Sequence, residues 1–368
     1  MRILILSQNI TKSGVGRYIQ QITERFIRDG DEVHVLAYKC GLELSAQANL
    51  QLFRYAESKN PVKIWKNYQQ FKKNVEKNAI DVVYIQHRVA GIYVSLYNLF
   101  HRNIPTVYVL HTAKLEQNNF IKKLVTNTGD FSIAISSEVE DCLIRSLGVK
   151  KEKIRKIYNG VDDTLLSPLS QEEKQSVKEK WNIPKDKTII CMHGRIDDVK
   201  GHDVLVRALK KMSAEDLNKI HVVVSGEMRT EYSFALREQI TRENLDNYFT
   251  FVGWANTREV VGISNLMVAP SRREGFPLNV LEAFFMKVPV IRSRTGGFTD
   301  MKDYCTGIDI DDEDGLLKYT CDYLKNPKPF EETAQKAYEW AQEHGTIEKM
   351  TGYVKDVFKE AIYANQKS

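Results

Sequence analysis

Two glutamates at a fixed spacing are the most informative chemical feature of the sequence. Glu274 and Glu282 are the first and last residues of the segment Glu-Gly-Phe-Pro-Leu-Asn-Val-Leu-Glu. This segment comes after an apolar run at 266–269. The run predicts a buried strand, and Pro277 suits the first turn of a following helix, where its missing N–H costs nothing. A helix N-terminus attracts anions, and carboxylates accept hydrogen bonds from hydroxyls. The segment therefore suits a phosphate joined to a polyol, as in a nucleotide sugar; the alternative is a solvated glutamate pair beside an ordinary turn.

Two cations five residues apart follow another apolar run. Arg195 and Lys200 come after the predicted strand at 188–192. Because parallel strands bring their carboxyl ends to one sheet edge, we expect both cations near Glu274. There they could neutralise a diphosphate leaving group as charge develops on it. The alternative is solvated surface charge, the usual fate of such a pair.

The N-terminal part of the chain offers two weaker signals. Gly14 and Gly16 stand in the loop before a predicted helix and allow a backbone to approach a phosphate or sugar, although Ile19 stands where a dinucleotide fingerprint needs a third glycine. His111 follows the predicted strand at 106–110. A histidine at a strand end can also be purely structural.

The elements that must position these residues alternate along the chain. Short apolar runs separated by stretches of helical period predict an α/β protein with parallel, doubly wound sheets. A charged, proline-containing stretch at 163–187 indicates a domain junction. We predict an N-terminal domain at 1–165, a C-terminal domain at 166–345, and a last helix at 346–368 that packs back toward the N-terminal domain. The predicted strands are 3–6, 33–36, 52–55, 82–85, 106–110, 131–135, 188–192, 222–225, 249–252, 266–269 and 288–291.

Composition excludes several classes of protein. The 368 residues are 42% hydrophobic and 27% charged, which disfavours collagen-like and disordered chains. Five dispersed cysteines without a Cys-x-x-Cys motif argue against a disulfide framework and a thiolate zinc site. The sequence contains no apolar run long enough for a membrane helix and does not begin with a signal peptide, so we expect a cytoplasmic protein. Residues 1–165 carry 24 Lys and Arg against 16 Asp and Glu, whereas the remainder carries 29 against 32. The basic half indicates an anionic partner or only a solvated face.

Taken together, the motifs resemble the retaining glycosyltransferases of family 4, which have the GT-B fold. The resemblance implies two doubly wound Rossmann-like domains facing across a cleft. It covers most of the chain and rests on the order and spacing of many short motifs. These are Gly14-Val-Gly16, His111, Ser136, Tyr158-Asn-Gly-Val-Asp162, Gly194-Arg195, Lys200-Gly201, Ser225-Gly-Glu227, Phe251-Val-Gly253, Glu274 to Glu282, Pro289-Val-Ile291 and Gly296-Gly297.

The resemblance also implies roles for individual residues. Arg195 and Lys200 match the pair that binds the donor diphosphate, Glu274 the glutamate that contacts the donor sugar, and Glu282 the glutamate that binds ribose. His111 matches the histidine beside the transferred sugar. The further donor-binding residues implied are Gly14, Gly16, Gly275, Phe276, Pro277 and Leu278. Among these, Pro277 has no N–H to donate.

The implied activity is hexosyl transfer with retention at the anomeric carbon. The donor is a nucleotide sugar, with UDP favoured, and the acceptor is a cell-envelope or exopolysaccharide glycan such as lipopolysaccharide or capsule, free or lipid-linked. We expect no cofactor and no metal. Asp309-Ile-Asp311 resembles the Asp-x-Asp metal motif of the other glycosyltransferase fold, but here it only begins an acidic surface stretch. With no carboxylate nucleophile evident beside His111, front-face attack is favoured, the leaving diphosphate acting as base. Two alternatives remain: a sugar-nucleotide 2-epimerase of the same fold, and a catalytically silent protein that binds a glycan or a partner.

A basic segment raises the question of membrane attachment. Residues 59–78 carry six lysines, one glutamate and three aromatic residues. Ile64, Tyr68, Phe71 and Val75 recur at helical spacing, as in a helix lying on anionic lipid at the inner face of the cytoplasmic membrane. The favoured alternative is a crossover helix whose apolar stripe packs on the sheet. We expect no nucleic-acid partner, because no recognition module accompanies the basic charge.

Overall fold

The computed structural model describes residues 1–115 and 126–367 and contains two compact units. Unit 1 comprises Met1–Gly160 and Ile347–Ser368, and unit 2 comprises Val161–Thr346. Each unit has its own parallel sheet covered by helices. Among the described helices, none is long and apolar enough to cross a membrane.

Unit 1 is built on a seven-stranded parallel sheet with the order β5-β3-β1-β6-β7-β8-β9. Ile3 in the central strand β1 pairs with Val33 of β3 and Val82 of β6. Residues 3–6 are fully buried because both faces of the sheet are covered, which is why the strand is a continuous apolar run. The strands of this unit are β1 (Arg2–Leu6), β2 (Asn9–Ile10), β3 (Glu32–Ala37), β4 (Lys39–Cys40), β5 (Asn49–Leu52), β6 (Val82–Ile85), β7 (Thr106–Leu110), β8 (Phe131–Ala134) and β9 (Ile154–Lys156), of which β2 and β4 pair only with each other.

Two helices of unit 1 begin at residues whose side chains cap them. The Ser13 hydroxyl caps α1, and the Asn60 side chain caps α2, whose first residue is Pro61. After α1, Gly30 takes the left-handed conformation with φ of 84° and turns the chain into β3. The helices of unit 1 that the structure describes before Gly160 are α1 (Gly14–Arg28), α2 (Pro61–Lys77), α3 (Ile92–Phe100) and α4 (Ser137–Cys142).

Unit 2 is built on a six-stranded parallel sheet with the order β12-β11-β10-β13-β14-β15. Its strands are β10 (Thr188–His193), β11 (Ile220–Ser225), β12 (Phe249–Gly253), β13 (Leu266–Ala269), β14 (Val290–Ser293) and β15 (Thr306–Ile308). Its helices are α5 (Gln171–Lys180), α6 (His202–Lys210), α7 (Ala214–Leu217), α8 (Glu231–Arg242), α9 (Thr257–Gly262), α10 (Leu278–Phe285), α11 (Phe298–Met301), α12 (Glu313–Lys325) and α13 (Lys328–His344). Since β10, β13 and β14 are neighbours, the loops that follow them meet at one edge of the sheet.

The last helix, α14 (Ile347–Gln366), belongs to unit 1. Phe358 is fully buried, with its ring centroid 5.8 Å from that of Phe26 in α1 and 5.1 Å from that of Tyr84 in β6. Lys355 adds an ion pair of 2.7 Å to Asp31. The chain thus returns to its first unit after completing the second.

Two strand predictions are wrong in position. β5 ends at Leu52 rather than spanning 52–55, because Asn67 of α2 bonds both the N–H of Tyr55 (3.1 Å) and its carbonyl (2.9 Å). β14 begins at Val290 rather than 288, since Pro289 has no N–H to donate to a ladder. The short strands β9 and β15 were not predicted, because three residues each are too few to show a period.

Candidate active site

Three loops form the candidate site of unit 2. We name them the β10 loop (residues 194–201), the β13 loop (residues 270–277) and the β14 loop (residues 294–297). They leave the carboxyl ends of three neighbouring parallel strands. This is the place where open α/β sheets bind their ligands.

Lys200 and Glu274 are in direct contact across two of these loops. Lys200 Nζ donates to Glu274 Oε1 at 2.7 Å, and the side chains are only 18% and 14% exposed. Asp197 caps the turn that presents the lysine by accepting from the Lys200 N–H at 3.2 Å. Gly201 follows with φ of 69°, and a Cβ there would overlap the carbonyl oxygen of Pro270. A glycine at this position therefore lets the β10 loop lie against the β13 loop.

The Glu274 carboxyl is held in its charged form. Burial raises the pKa of this carboxyl, but the charge and hydrogen bond of Lys200 outweigh burial, with help from Ser271 and Arg292, and the pKa lies below its usual range. The site therefore presents an ammonium and a carboxylate side by side. The ammonium can bind a phosphate oxygen, and the carboxylate can accept from hydroxyls.

The β14 loop packs closely against the β13 loop. A Cβ on Gly296 would overlap the carbonyl oxygen of Glu274, and Gly297 has φ of 76° with the Phe276 ring beside it. The adjoining residues Phe276, Pro277 and Leu278 are buried. Pro277 is the residue before the first turn of α10, not within that turn as we predicted, because the helix begins at Leu278.

Glu282 lies in the second turn of α10, as predicted, and is 1% exposed. Its Oε2 is 3.8 Å from Nε2 of His193, the last residue of β10. That imidazole nitrogen also lies 3.0 Å from the Thr257 hydroxyl. Asn279 ties the same helix to β10 by donating to the His193 carbonyl at 2.8 Å.

Arg195 is engaged within its own loop. Its Nη1 lies 3.0 Å from Asp197 Oδ2, and half of its side chain is exposed. The structure thus joins Lys200 to Glu274 and Arg195 to Asp197. Both cations leave the same strand end, with the arginine on the more open side.

The two glycines near the N-terminus lie inside helix α1, not in the loop before it as we predicted. Gly14 is the first residue of the helix, and the Gly16 N–H donates to the capping Ser13 hydroxyl at 3.2 Å. A Cβ on Gly16 would overlap the Thr11 carbonyl oxygen, so a packing contact explains this glycine. Among the described residues, nothing lies within 4 Å of a Cβ built on Gly14. In this part of the chain, Gly14 therefore has more space around it than Gly16.

His111 follows β7 in unit 1 and forms a polar cluster with the end of β6. Its Nε2 lies 3.0 Å from Gln86 Oε1. Its ring packs edge-on against the Tyr18 ring, and the two ring centroids are 4.8 Å apart. Burial, and then the neighbouring His87, lower the pKa of His111 to about 3. Burial and Arg88 lower the pKa of His87 to about 4. Both imidazoles are therefore neutral at neutral pH.

Gln86 and His87, which lie beside His111, were not among the predicted residues. They follow an apolar strand that neighbours β7, so the rule that places His111 at the sheet edge applies to them equally. Single polar residues at strand ends are too common for that signal to select them.

The acidic stretch that begins at Asp309 contacts arginines. Asp309 pairs with Arg294 at 2.6 Å and Asp311 with Arg272 at 2.6 Å. Among the described residues, no three His, Cys, Asp or Glu side chains are grouped so that they could hold a metal ion.

Family models match almost the whole chain. The family described as Glycosyltransferase Family 4 matches residues 12–165, and the family described as Glycosyl transferases group 1 matches residues 173–340. The chain is a family 4, group 1 glycosyltransferase. The two matches fall on units 1 and 2, and the second includes Lys200, Glu274 and Glu282.

Two relatives show how far this similarity extends. The glycosyltransferase is 25% identical over 334 residues to an uncharacterized 41.2 kDa protein in the cps region of Klebsiella pneumoniae, covering 85% of this chain and 87% of that protein. It is 26% identical over 204 residues to the O-antigen biosynthesis glycosyltransferase WclY of Escherichia coli, covering 55% and 54% of the two chains. The matched region spans about half of the length of several other curated relatives.

A solved structure with the same fold covers both units. The structure of Anabaena Alr3699/HepE in complex with UDP and glucose matches with a TM-score of 0.83 at 18% identity, over 98% of this chain and 99% of that one. The glycosyltransferase therefore has the GT-B fold with two Rossmann-like domains, as predicted.

Proposed function

We propose that this glycosyltransferase transfers a sugar from a UDP-sugar to a hydroxyl of a glycan acceptor. The observation that carries the proposal is the contact of 2.7 Å between Lys200 and Glu274 at the edge of the unit 2 sheet. The lysine supplies positive charge for a diphosphate, and the glutamate accepts from sugar hydroxyls. The UDP and glucose bound by Anabaena Alr3699/HepE support this choice of donor.

We propose further donor contacts in unit 2 from the β10 loop, the β13 loop and α10. Arg195, on the open side of the β10 loop, adds a second cation for the diphosphate. Glu282 binds the ribose hydroxyls, and residues 275–278 lie along the sugar and phosphates. Gly14 in unit 1 leaves room for a ligand to approach the start of α1. These assignments use cations in place of a metal ion, so the proposed reaction needs none.

The proposed chemical step is front-face substitution with retention. The bond between the anomeric carbon and the diphosphate oxygen breaks, and the acceptor oxygen forms its bond on the same face. The acceptor proton passes to the departing diphosphate, whose charge Lys200 and Arg195 neutralise. His111 of unit 1 is neutral because burial lowers its pKa, so it can offer a ligand of that unit a hydrogen bond but no positive charge.

The proposed acceptor is a polysaccharide intermediate of the cell envelope. The relative WclY is an O-antigen biosynthesis glycosyltransferase, and another relative is encoded in a cps region. The surplus of basic residues in the first 165 positions suits an anionic or lipid-linked acceptor.

We also propose that unit 1 meets an anionic membrane surface from the cytoplasmic side. The predicted stripe is not available for this contact, since Tyr68, Phe71 and Val75 are buried in the unit. A different surface is exposed, which we name the α2–α3 face: Trp65 is 49% exposed and Leu99 72% exposed, with Val62 and Phe100 beside them. The rings of Trp65 and Phe100 lie 6.5 Å apart. Positive charge in and just before α2 comes from six lysines: Lys59, Lys63, Lys66, Lys72, Lys73 and Lys77.

The donor proposal is tested by binding and by transfer. Calorimetric titration with UDP, GDP and ADP should give the tightest binding for UDP, and Lys200→Ala and Glu274→Ala should weaken it strongly. Lys180→Ala is the matched control, because Lys180 forms a pair of 2.8 Å with Glu259 and neither residue belongs to the three site loops. Failure to bind any of the three nucleotides would favour the silent alternative. Epimerised UDP-sugar formed without acceptor would favour the epimerase, and NMR of the product reads out retention.

The membrane proposal has its own test. Vesicles with anionic lipid should sediment the wild-type protein at low salt, because lysines near such a surface contribute about 1 kcal/mol each. Trp65→Ser combined with Phe100→Ser should reduce sedimentation. Trp254→Ser, which changes a half-exposed tryptophan of unit 2, should leave it unchanged. Equal sedimentation of all three proteins, or none by the wild type, would contradict the proposal.

A further inference from the structure

Arg272 connects the two loops that carry Lys200 and Glu274. It lies in the β13 loop, two residues before Glu274, and its backbone N–H donates to the Val199 carbonyl at 2.8 Å. Its Nη1 donates to the Asp198 carbonyl at 2.7 Å. Both acceptors belong to the turn that ends at Lys200. One residue therefore bonds the lysine turn to the glutamate loop through both its main chain and its side chain.

Carboxylates hold the guanidinium of Arg272 from two further elements. The guanidinium grips Asp203, in the first turn of α6, with Nη1 at 3.0 Å from Oδ1 and Nη2 at 2.7 Å from Oδ2. Its Nε donates to Asp311 Oδ1 at 2.8 Å. The arginine is 22% exposed on its side chain, and the two-pronged contact with Asp203 is the geometry for which arginine and lysine are not interchangeable.

The backbone of Asp311 is unusual in a way that supports a role for this contact. Its φ is 59°, in the left-handed region that residues other than glycine rarely adopt. Such a conformation persists where the surroundings require it. Asp311 also lies 3.7 Å from Arg207, which itself pairs with Asp203. The acidic stretch thus anchors the arginine that joins the two loops.

We infer that Arg272 is a positioning residue that holds Lys200 and Glu274 at their binding distance before the donor arrives, with Asp203 and Asp311 as its anchors. The inference rests on the proposed donor function of that pair. Lys200 and Glu274 come from separate loops, so their spacing depends on what joins the loops. When Arg272 is lost, donor binding must first order both loops, and this cost reduces affinity.

The experiment measures donor KM and kcat together with UDP affinity for a set of variants. Arg272→Lys keeps the charge but loses the two-pronged contact, and we expect its donor KM and UDP Kd to rise about tenfold while kcat changes less than about threefold. Asp311→Asn keeps a residue that tolerates the left-handed backbone and removes the charge, and should shift both constants in the same direction. Arg258→Lys is the matched control, since it removes a two-pronged contact with Glu173 that lies outside the three site loops.

The outcomes distinguish the inference from the function on which it rests. Wild-type protein that binds no UDP defeats the proposed function. Wild-type protein that binds UDP, with Arg272→Lys and Asp311→Asn at unchanged KM and Kd, overturns the inference alone. Hydrogen exchange gives a readout without donor: amides of residues 197–201 should exchange faster in both variants, and unchanged exchange also overturns the inference. If the fully truncated Arg272→Ala does not fold, the two milder variants still decide the question.

Discussion

Lys200 Nζ lies 2.7 Å from Glu274 Oε1 although 73 residues of chain separate the two residues. Each stands in a loop after a parallel strand, and the two strands are neighbours in the unit 2 sheet. The contact holds a cation and an anion together in a site with little access to water. A ligand that carries both a phosphate and hydroxyls can bind to both partners at once.

The two residues should depend on each other in function. Lys200→Ala and Glu274→Gln should each lower kcat/KM for the donor by about 100-fold or more, since each removes a charged group aimed at the donor. The double variant should lose far less than the product of the two single losses, because each substitution already leaves the other partner without its ion pair. A double-mutant cycle on kcat/KM measures the coupling. Additive losses would show that the contact has no part in donor binding.

Acid should destabilise the protein through His202. Burial, and then the charge of Lys200, lower the pKa of this imidazole to about 3, and neither ring nitrogen has a hydrogen-bond partner among the described residues. Folding keeps His202 neutral, so below pH 6.5 the unfolded chain binds one more proton, and stability falls as pH drops from 6.5 toward 3. At pH 5 this effect lowers the free energy of unfolding by about 2 kcal/mol. His202→Leu should therefore show a flatter melting temperature between pH 7.5 and 5 than wild type. An equally flat profile for the control His344→Gln, at a partly exposed histidine, would refute this account.

The glycines of α1 should differ in their tolerance of a methyl group. Gly16→Ala should cost about 1–3 kcal/mol of stability, because the Cβ would overlap the Thr11 carbonyl oxygen. Gly14→Ala should leave the melting temperature unchanged or slightly raised, since no described residue lies within 4 Å of its Cβ. Thermal unfolding of the pair gives the comparison. Equal destabilisation by both substitutions would mean that the Thr11 contact does not explain Gly16.

The last helix should contribute strongly to the stability of unit 1. Phe358→Ala removes a fully buried ring between Phe26 and Tyr84 and should cost about 3–5 kcal/mol. Tyr353→Ala, on the exposed side of the same helix, should change stability by less than about 0.5 kcal/mol. Denaturant unfolding measures both. A similar small effect of the two substitutions would show that α14 is docked only loosely.

Most long strands could be predicted because their apolar runs are continuous, as residues 3–6 and 106–110 illustrate. The prediction at residues 52–55 was displaced because Asn67 and Gln70 of α2 bond that backbone in place of a neighbouring strand. Such side-chain bonds reach across more than ten residues and leave no periodic signal. The strands β9 and β15 were not predicted for a related reason. A three-residue segment becomes a strand because of its tertiary pairing rather than its local pattern.

The sequence by itself determined which charged residues lie at the carboxyl ends of the unit 2 strands. Lys200, Arg195, Glu274 and Glu282 were identified from residue type, spacing and the strands before them, because parallel strands deliver their carboxyl ends to one edge. Only the tertiary structure decided the pairing: Lys200 contacts Glu274, while Arg195 contacts Asp197. It also decided that Arg272 joins the β10 and β13 loops with Asp311 as an anchor, and that α2 buries most of its predicted stripe. Such contacts depend on distances of a few ångströms between residues far apart in the chain, and local patterns carry no information about those distances.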